Sequence, residues 1–299
     1  MDRLDELLIF TTVVSQGSLS AAARQLRRSA PAVTRAIAAL EKRLGTRLLE
    51  RTTRKIAPTP AGLRLAERAR MLLEDYQEAV QESNESQLRG MLRLTAPVQF
   101  GRRHVTPVVM AFLSQHPDIQ IELLLNDRNQ DLIEQGLDMA VRIGDLKDSS
   151  MVARQVGSVS RMLAASPAYL AARGTPVQPC DLAHHDVIAG ALLPVVEWRF
   201  DAHGAMVKVP ISPRLITNDV EAQCVAARAG YGIVRLLSYQ LEDDFRNGSL
   251  VHLLPEWEPA PLPVQLVAPH RELMPRRVRA FWEFACERLQ ERLQEGKGI

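Results

Sequence analysis

The chain has 299 residues, of which 46% are hydrophobic and 24% are charged, and its formal net charge is +2. This length and composition suit two or three compact units with hydrophobic cores. No apolar run reaches the roughly 18 residues that span a bilayer, and the first residues, MDRLDELLIF, are too charged for a signal peptide, so we expect a cytoplasmic protein without a membrane segment.

The charge is unevenly distributed along the chain. Residues 1–58 hold 11 Lys and Arg against 5 Asp and Glu, a net of +6, whereas residues 59–90 and 91–299 each have a net of −2. A basic head on a slightly acidic body is typical of a polyanion-binding module joined to a sensor. A solvated basic surface without a partner is the alternative.

A short helix, a tight turn and a second helix are predicted within residues 18–44. Ser18 is a good cap for a first helix, and the string RRSAP then interrupts it. Ser29 caps the second helix, and Pro31 is accepted in its first turn. The core face of the second helix is predicted from apolar residues at steps of four, three and four, namely Val33, Ile37, Leu40 and Leu44.

The opposite face of the second helix is polar or small. It carries Pro31, Thr34, Arg35, Ala38 and Lys42. A helix with such a face, reached from a short helix through a tight turn, has the geometry that places its N-terminal half in the major groove of DNA.

Residues 1–90 resemble the N-terminal domain of LysR-type transcriptional regulators, without a gap, through the string FTTVVSQGSLSAAARQLRRSAPAVTRAIAALEKRLGTRLLERTTRKIAPTPAG. The resemblance implies a winged helix-turn-helix that binds double-stranded DNA. Two departures are that Ala30 stands where the family often has Gln, and Thr34 where it usually has Ser. Thr34 keeps a hydroxyl for a polar contact, but Ala30 cannot make a bidentate contact to adenine.

The predicted DNA contacts divide into base-reading and backbone-binding residues. Pro31 and Thr34 are expected near base edges. The segment RTTRKIAP is predicted to be a wing that reaches the neighbouring backbone or minor groove, and Arg51 has the alternative role of bracing that wing. The full predicted set is Ser18, Ser20, Ser29, Ala30, Pro31, Thr34, Arg35, Ala38, Arg51, Arg54 and Lys55.

A long linker helix is predicted after the DNA-binding domain of residues 1–59. Thr59 and Pro60 form a cap and first turn, and a helical stripe of Leu65, Ala69, Leu72, Tyr76, Ala79 and Ser83 continues until Gly90 can end it. A helix of about 28 residues is about 42 Å long. In the resembling family this linker, residues 60–89 here, is the dimerisation element. The alternative is a helix folded back on its own domain.

Dimerisation has a consequence for the DNA sequence that the protein reads. Two recognition helices related by a twofold axis read an interrupted inverted repeat, with half-sites roughly 34 Å or a multiple apart. The resembling family commonly forms homotetramers as dimers of dimers, and RNA polymerase is a further expected partner.

Residues 90–299 alternate between apolar strands and helices, which predicts an α/β unit with mostly parallel sheets. The strings QDLIEQGLDMAVRIGDL, ASPAYLAARGTP and AGYGIV resemble the LysR-type effector domain, which folds like a periplasmic binding protein. The resemblance implies two lobes: lobe I from 91–161 and 266–299, and lobe II from 162–265, with a cleft where the chain crosses between them.

Strand ends and helix N-termini that face such a cleft favour anionic ligands. Gln99 is the strongest single candidate, because an uncharged polar side chain in an apolar loop has little structural role. Other roles stay open: Asn218 and Asp219 as helix caps, Arg142 in a buried ion pair, and Phe100 in the core. The full predicted lining is Ala96, Pro97, Val98, Gln99, Phe100, Arg142, Ile143, Gly144, Asn218, Asp219, Val234 and Arg235.

Catalytic and cofactor motifs are not found: there is no Gly-x-Ser-x-Gly, P-loop or His-Glu-x-x-His. The three cysteines, Cys180, Cys224 and Cys286, show no paired spacing, so we expect reduced thiols, with Cys224 in a core; a redox-sensing pair is the alternative. The sequence thus predicts a DNA-binding regulator controlled by a small effector, for which such a cleft favours an anion, with no enzymatic activity, metal or cofactor. The alternative is a constitutive DNA-binding oligomer without a ligand.

Overall fold

A computed structural model describes residues 2–51, 56–81, 88–146, 151–190, 197–202, 204–269 and 274–295. These residues form a small helical head, a linker helix and a body of two five-stranded sheets. Among them, no helix is long and apolar enough to cross a membrane.

The head contains α1 (Arg3–Gln16), α2 (Leu19–Gln25), α3 (Ala30–Leu44) and the antiparallel hairpin β1 (Leu49–Arg51) and β2 (Ile56–Pro58). Its core joins Phe10 of α1 to Val33, Ile37 and Leu40 of α3. The core face of α3 is therefore confirmed for three of its four predicted residues. Leu44 is 46% exposed, because it is the last residue of α3, beside the left-handed Gly45 that ends the helix.

The linker helix α4 (Pro60–Gln81) has 22 residues and is therefore about 33 Å long. Residues 82–87 of the predicted helix lie outside the described residues. The expected end at Gly90 is wrong, because Gly90 is the first residue of a strand, where its N–H donates to the carbonyl of Asp118.

The body consists, in chain order, of β3 (Gly90–Ala96), α5 (Val98–Phe100), α6 (Thr106–Gln115), β4 (Ile119–Leu125), β5 (Met139–Ile143), β6 (Val152–Val159), β7 (Arg161–Ala165), α7 (Pro167–Arg173), β8 (Val187–Gly190), β9 (Glu197–Ala202), β10 (Ala205–Pro210), β11 (Pro213–Thr217), α8 (Val220–Arg228), β12 (Ile233–Leu237), α9 (Ser238–Asn247), β13 (Val251–Leu253), β14 (Leu262–Ala268) and α10 (Arg276–Glu295). A π-helical turn, Gly101–Val105, joins α5 to α6.

The two sheets define the two lobes. Lobe I has the strand order β4-β3-β5-β14-β6, and lobe II has the order β11-β8-β12-β7-β13. Both sheets are mixed, not mostly parallel as expected, because β14 runs antiparallel to its two neighbours and β7 does the same in lobe II. The first strand after each crossover, β7 in lobe II and β14 in lobe I, therefore runs antiparallel to its neighbours in the sheet.

The chain crosses between the lobes twice. The first crossover is at Ser160, between β6 and β7, as the sequence predicts to within two residues. The second precedes Leu262, because all of β14 lies in the sheet of lobe I. The predicted boundary at 265 and 266 is therefore about four residues late.

Each lobe has its own core. In lobe I, α6 and α10 pack on the sheet through Phe112 and Phe281, whose rings meet edge to face with centroids 5.0 Å apart. Lobe II is filled on both faces of its sheet, by Phe200 and Ile233 on one side and by Cys224 and Leu241 on the other. Both lobes are therefore rigid platforms for the segments that lie between them.

Candidate nucleic-acid interface and ligand cleft

The two helices of the head begin at the predicted serine caps. Ser18 Oγ accepts a hydrogen bond from the backbone N–H of Ala21, and Ser29 Oγ accepts one from Ala32, each at 3.3 Å. Pro31 lies in the first turn of α3, where its missing N–H costs no helical hydrogen bond. The predicted caps are therefore confirmed. Ser18 Oγ also lies 3.0 Å from Ser20 Oγ.

The turn between α2 and α3 is fixed by backbone geometry and by an ion pair. Arg27 adopts a left-handed conformation, with φ of 52°. The guanidinium of Arg28 binds both carboxylate oxygens of Asp5 in α1, at 2.7 and 2.8 Å. Bidentate pairs of this kind fix orientation as well as distance, so this pair holds the turn against α1.

The outer face of α3 is open to solvent. Ala30, Pro31, Arg35 and Ala38 are exposed, and Thr34 is half-buried among them. The Thr34 hydroxyl donates to the carbonyl of Ala30 at 3.0 Å, so its free lone pairs can only accept. An acceptor at this position matches the amino group of adenine or cytosine in the major groove.

The wing is attached to α3 and α4 at its base. Glu41 Oε1 accepts hydrogen bonds from the backbone N–H groups of Leu48 and Leu49, at 2.8 and 3.1 Å. A Cβ on Gly62 of α4 would lie 2.0 Å from the Leu48 carbonyl oxygen, so the wing strand and α4 meet backbone to backbone. Of the predicted wing residues, Arg54 and Lys55 lie outside the described residues, and Arg51 is described only as backbone paired with Ile56.

The predicted loop after β3 forms the short helix α5. Ala96 and Phe100 are 2% and 0% exposed and belong to the core of lobe I, so their predicted role in lining the cleft is wrong. Pro97 precedes the helix, and the N–H of Val98 donates to Asp127 Oδ1 at 2.9 Å. The N-terminal end of α5 is therefore already bound to a carboxylate of this chain.

Gln99 faces lobe II. Its side-chain amide donates to Glu221 Oε2 of α8 at 3.4 Å, and Glu221 in turn forms an ion pair with Arg228 at 2.8 Å. Asn218 and Asp219 lie just before α8 and are exposed. Asp219 caps the helix by accepting from Ala222 N at 2.7 Å, which is the structural role left open by the sequence.

Arg142 and its neighbours lie at the end of β5. The Arg142 guanidinium donates to the backbone carbonyl of Gln130 at 2.8 Å, and among the described residues it forms no ion pair of the kind considered from sequence. Ile143 packs against the core of lobe I. Gly144 has φ of 107°, and a Cβ there would meet no atom within 4 Å, so this strand end faces open space.

Of two predicted residues of lobe II, Val234 belongs to the interior and Arg235 is half-buried. Val234 is 0% exposed in the lobe II core, so it does not line the cleft as predicted. Arg235 lies with its guanidinium over the rings of Trp198 and Phe200, at 5.8 and 5.0 Å from their centroids, and donates to the Arg199 carbonyl at 2.6 Å. Burial, with the nearby charge of Arg161, lowers the pKa of Arg235 to about 10.

Sequence reasoning missed the groups that join the lobes. Arg103 of lobe I binds Glu242 at 2.5 Å and Asp243 at 2.7 Å, both in α9 of lobe II, and Glu221, which binds Gln99 across the lobes, was also not predicted. Asp127, which binds Val98 within lobe I, was missed as well. Each pair is separated by about 30 to 140 positions in the chain, so no local pattern relates its members. The acidic run LEDDF of α9 was the only available signal.

A helix-turn-helix head on a two-lobed α/β body defines a ligand-binding regulator of transcription. Residues 4–63 match the family model described as bacterial regulatory helix-turn-helix protein, lysR family, and residues 85–290 match the LysR substrate binding domain. The chain therefore belongs to the LysR family of HTH-type transcriptional regulators.

Individual relatives agree over nearly the whole chain. An HTH-type transcriptional regulator from Haemophilus influenzae is 35% identical over 281 residues, which is 93% of this chain and 98% of the relative. The full-length structure of the Vibrio cholerae virulence activator AphB has a TM-score of 0.61 with 30% identity, covering 96% of this chain and 99% of that one. CrgA from Neisseria meningitidis has a TM-score of 0.61 with 31% identity, covering 95% and 98%.

Proposed function

We propose that this protein binds an interrupted inverted repeat as a dimer or a dimer of dimers, and that a small effector between the lobes alters this binding. The observation that carries the proposal is the hydrogen bond between Gln99 and Glu221, which joins the lobes across the cleft beside the start of α5. A ligand that replaced this hydrogen bond would favour one lobe arrangement over another.

The DNA part rests on the open face of α3 and the basic head. Thr34 presents acceptor lone pairs on the exposed face, beside Arg35. We assign Thr34 to base edges and Arg54, from the sequence, to the phosphate backbone. Thr34→Val is expected to change the preference between operators, whereas Arg54→Ala weakens binding to every duplex and flattens its salt dependence.

Fluorescence anisotropy with the native promoter fragment and a scrambled duplex, over a salt series, measures both effects. Ala39→Ser, an exposed change one position from the reading face, is the control. Equal losses on both duplexes for both Thr34→Val and Arg54→Ala contradict the assignment.

Dimerisation through α4 is supported by its exposed apolar side chains. Leu72 and Tyr76, one helical turn apart, are 48% and 50% exposed in the single chain. Burying them against a second copy removes apolar surface from water. Leu72→Lys is expected to shift the protein toward monomer in analytical ultracentrifugation, while Leu63→Lys, on the other side of α4, is not.

The effector that we propose is a small organic molecule, with carboxylic acids tested first, since the Val98 N–H at the start of α5 binds the Asp127 carboxylate, and an acid that brings a proton or a cation could take its place. Thermal shift with a panel of small carboxylates, followed by footprinting upstream of the chain's own gene, is the test. A melting rise that is lost in Gln99→Ala, together with a changed footprint, supports it. A footprint that no compound alters favours a constitutive DNA-binding oligomer.

The remaining assignments follow from this function. We propose that the protein acts in the cytoplasm, where it meets chromosomal DNA and RNA polymerase. We assign it no enzymatic activity, since its relatives are named transcriptional regulators.

A further inference from the structure

A cavity lies at the hinge between the lobes, separate from the contact between Gln99 and Glu221. It has a volume of about 500 Å³ and is lined by His104 and Arg292 of lobe I, Ser160 at the first crossover, and Tyr239 and Phe245 of α9 in lobe II. Neither Gln99 nor Glu221 lines it. Its volume is in the range of sites for small organic molecules, which is roughly 300–1,000 Å³.

His104 is a buried polar group in the wall of this cavity that lacks a partner. The residue is 8% exposed, and neither ring nitrogen has a hydrogen-bond partner among the described residues. Its ring packs against Phe100 and Tyr239, with centroids 4.6 and 5.7 Å away, and these contacts fix its orientation. An unsatisfied buried polar group is unfavourable, and a ligand with matching polar atoms would satisfy it.

His104 is neutral near pH 7. Burial lowers its pKa to about 4, and the guanidinium groups of Arg292 and Arg103 act in the same direction. A neutral imidazole offers one N–H donor and one acceptor. The charged side chains around it favour an anion over a cation in this position.

The other charged groups of the cavity are already compensated. Glu242 is bound by Arg103 at 2.5 Å and by Arg246 at 2.9 Å, and His252 is bound to Glu258 at 2.6 Å. The guanidinium of Arg292 has one hydrogen bond among the described residues, a long one of 3.3 Å to the Arg103 carbonyl. Arg292 is therefore the cation that is available to a carboxylate.

We infer that this hinge cavity is a second ligand site, which binds a small carboxylic acid with a compact apolar body. Arg292 and the N–H of His104 bind the carboxylate. The apolar body lies against Met162, Phe245 and Leu293, which supply the nonpolar part of the wall.

The cavity and the cleft share one helical segment. Gln99 faces the cleft from α5, and His104 faces the hinge cavity from the π-helical turn that follows it. π-Helical turns are rare in proteins, and those that occur are often found at functional sites. Since α9 of lobe II forms the opposite wall, a ligand in the hinge cavity contacts both lobes and would change the affinity of the cleft for its own effector.

The test uses the full-length protein and benzoate as the probe, with benzamide as its uncharged match. Isothermal titration is performed on the wild type, Arg292→Gln, His104→Phe and Gln99→Ala. His104→Phe keeps the ring packing and removes both nitrogens, and the exposed Arg292 is replaced without disturbing the core. Circular dichroism and thermal melting verify the fold of each variant.

The expected result is that benzoate binds the wild type and Gln99→Ala alike, and binds each of the other two variants about tenfold or more weakly, as loss of a charge-assisted hydrogen bond predicts. Benzamide is expected to bind more weakly than benzoate to the wild type. The proposal is overturned if benzoate does not bind, if its binding is unchanged in Arg292→Gln and His104→Phe, or if Gln99→Ala alone abolishes it.

Discussion

Glu67 of the linker helix forms an ion pair with Arg93 in strand β3 of lobe I, so the helix that carries the DNA-binding head is joined directly to the ligand-binding body. Arg93 Nε also binds Glu122 at 2.7 Å, and the Arg93 backbone N–H donates to Asp138 Oδ2 at 2.7 Å. A Cβ on Gly136 would lie 1.9 Å from Glu67 Oε1. The approach is therefore too close for any side chain at position 136 without a shift of Glu67.

Glu67→Gln is expected to lower the free energy of unfolding by about 1 kcal/mol, because the pair is half-buried and glutamine replaces a charged acceptor with a neutral one. Guanidinium denaturation measures the change. Arg68→Gln, exposed on the same helix, is the control and is expected to change stability by less than about 0.5 kcal/mol. If the Glu67→Gln protein is as stable as this control, the ion pair between Glu67 and Arg93 does not stabilise the fold.

Arg228→Gln is expected to destabilise lobe II by about 1.5–3 kcal/mol, because it leaves a buried carboxylate with the Ser249 hydroxyl but without a charged partner. Asp244 is 2% exposed, and its oxygens accept from Arg228 Nε and Nη2 at 2.6 and 2.8 Å. The double variant Arg228→Gln, Asp244→Asn should recover part of the loss. Arg246→Gln, exposed on α9, is the matched control.

The same pair predicts a pH dependence. Burial would raise the pKa of Asp244, but hydrogen bonds from Arg228 and Ser249 outweigh it and hold the pKa below its usual value. A depressed carboxyl pKa contributes stability that is present above the unfolded value of about 3.9 and is lost as pH falls through the folded value. The stability difference between the wild type and Arg228→Gln should therefore shrink below about pH 4, and a difference that grows there contradicts this assignment.

Gly62→Ala is expected to destabilise the head, although alanine normally stabilises a helix by about 1 kcal/mol relative to glycine. The reason is the 2.0 Å approach of a Cβ to the carbonyl oxygen of Leu48, a backbone atom that cannot rotate away. Thermal unfolding of the wild type and the variant decides the sign. A rise in Tm would mean that the wing strand and α4 are farther apart than described.

The cysteines are expected to differ in reactivity. Cys180 is exposed, whereas Cys224 and Cys286 are buried, and burial raises the pKa of Cys224 to about 12. In native protein, Ellman's reagent should therefore titrate one thiol quickly and the other two only after unfolding. Replacing all three by Ser should leave DNA binding intact; its loss would favour the redox-sensing alternative.

Periodicity and capping were sufficient to predict the head, because its contacts are local. The serine caps and the apolar steps of α3 are read within one or two helical turns. In the body, the apolar pattern does not predict α9, because its sequence, SYQLEDDFRN, is mostly polar and buries only Tyr239, Leu241 and Asp244. Its helical identity depends on packing against lobe II.

The cleft was predicted less well, for a physical reason. A loop position next to a strand end does not specify whether a side chain turns toward solvent or toward the core, and Ala96, Phe100 and Val234 turn inward. Gln99 was predicted on polarity alone. Its partner, Glu221, is 122 positions away, and only the folded chain brings the two together.

The carboxylate of Asp127 occupies the start of α5 in the way that an incoming acid would. A carboxylate of the chain itself therefore lies where an acidic effector would bind. An acidic effector that accepted the Val98 N–H would have to displace the Asp127 side chain. The displaced carboxylate would then repel the effector, unless a cation bound with the effector or Asp127 became protonated. A neutral ligand with a hydrogen-bond acceptor would escape this repulsion, so on the proposed function the residue at position 127 would influence which charge state of an effector binds.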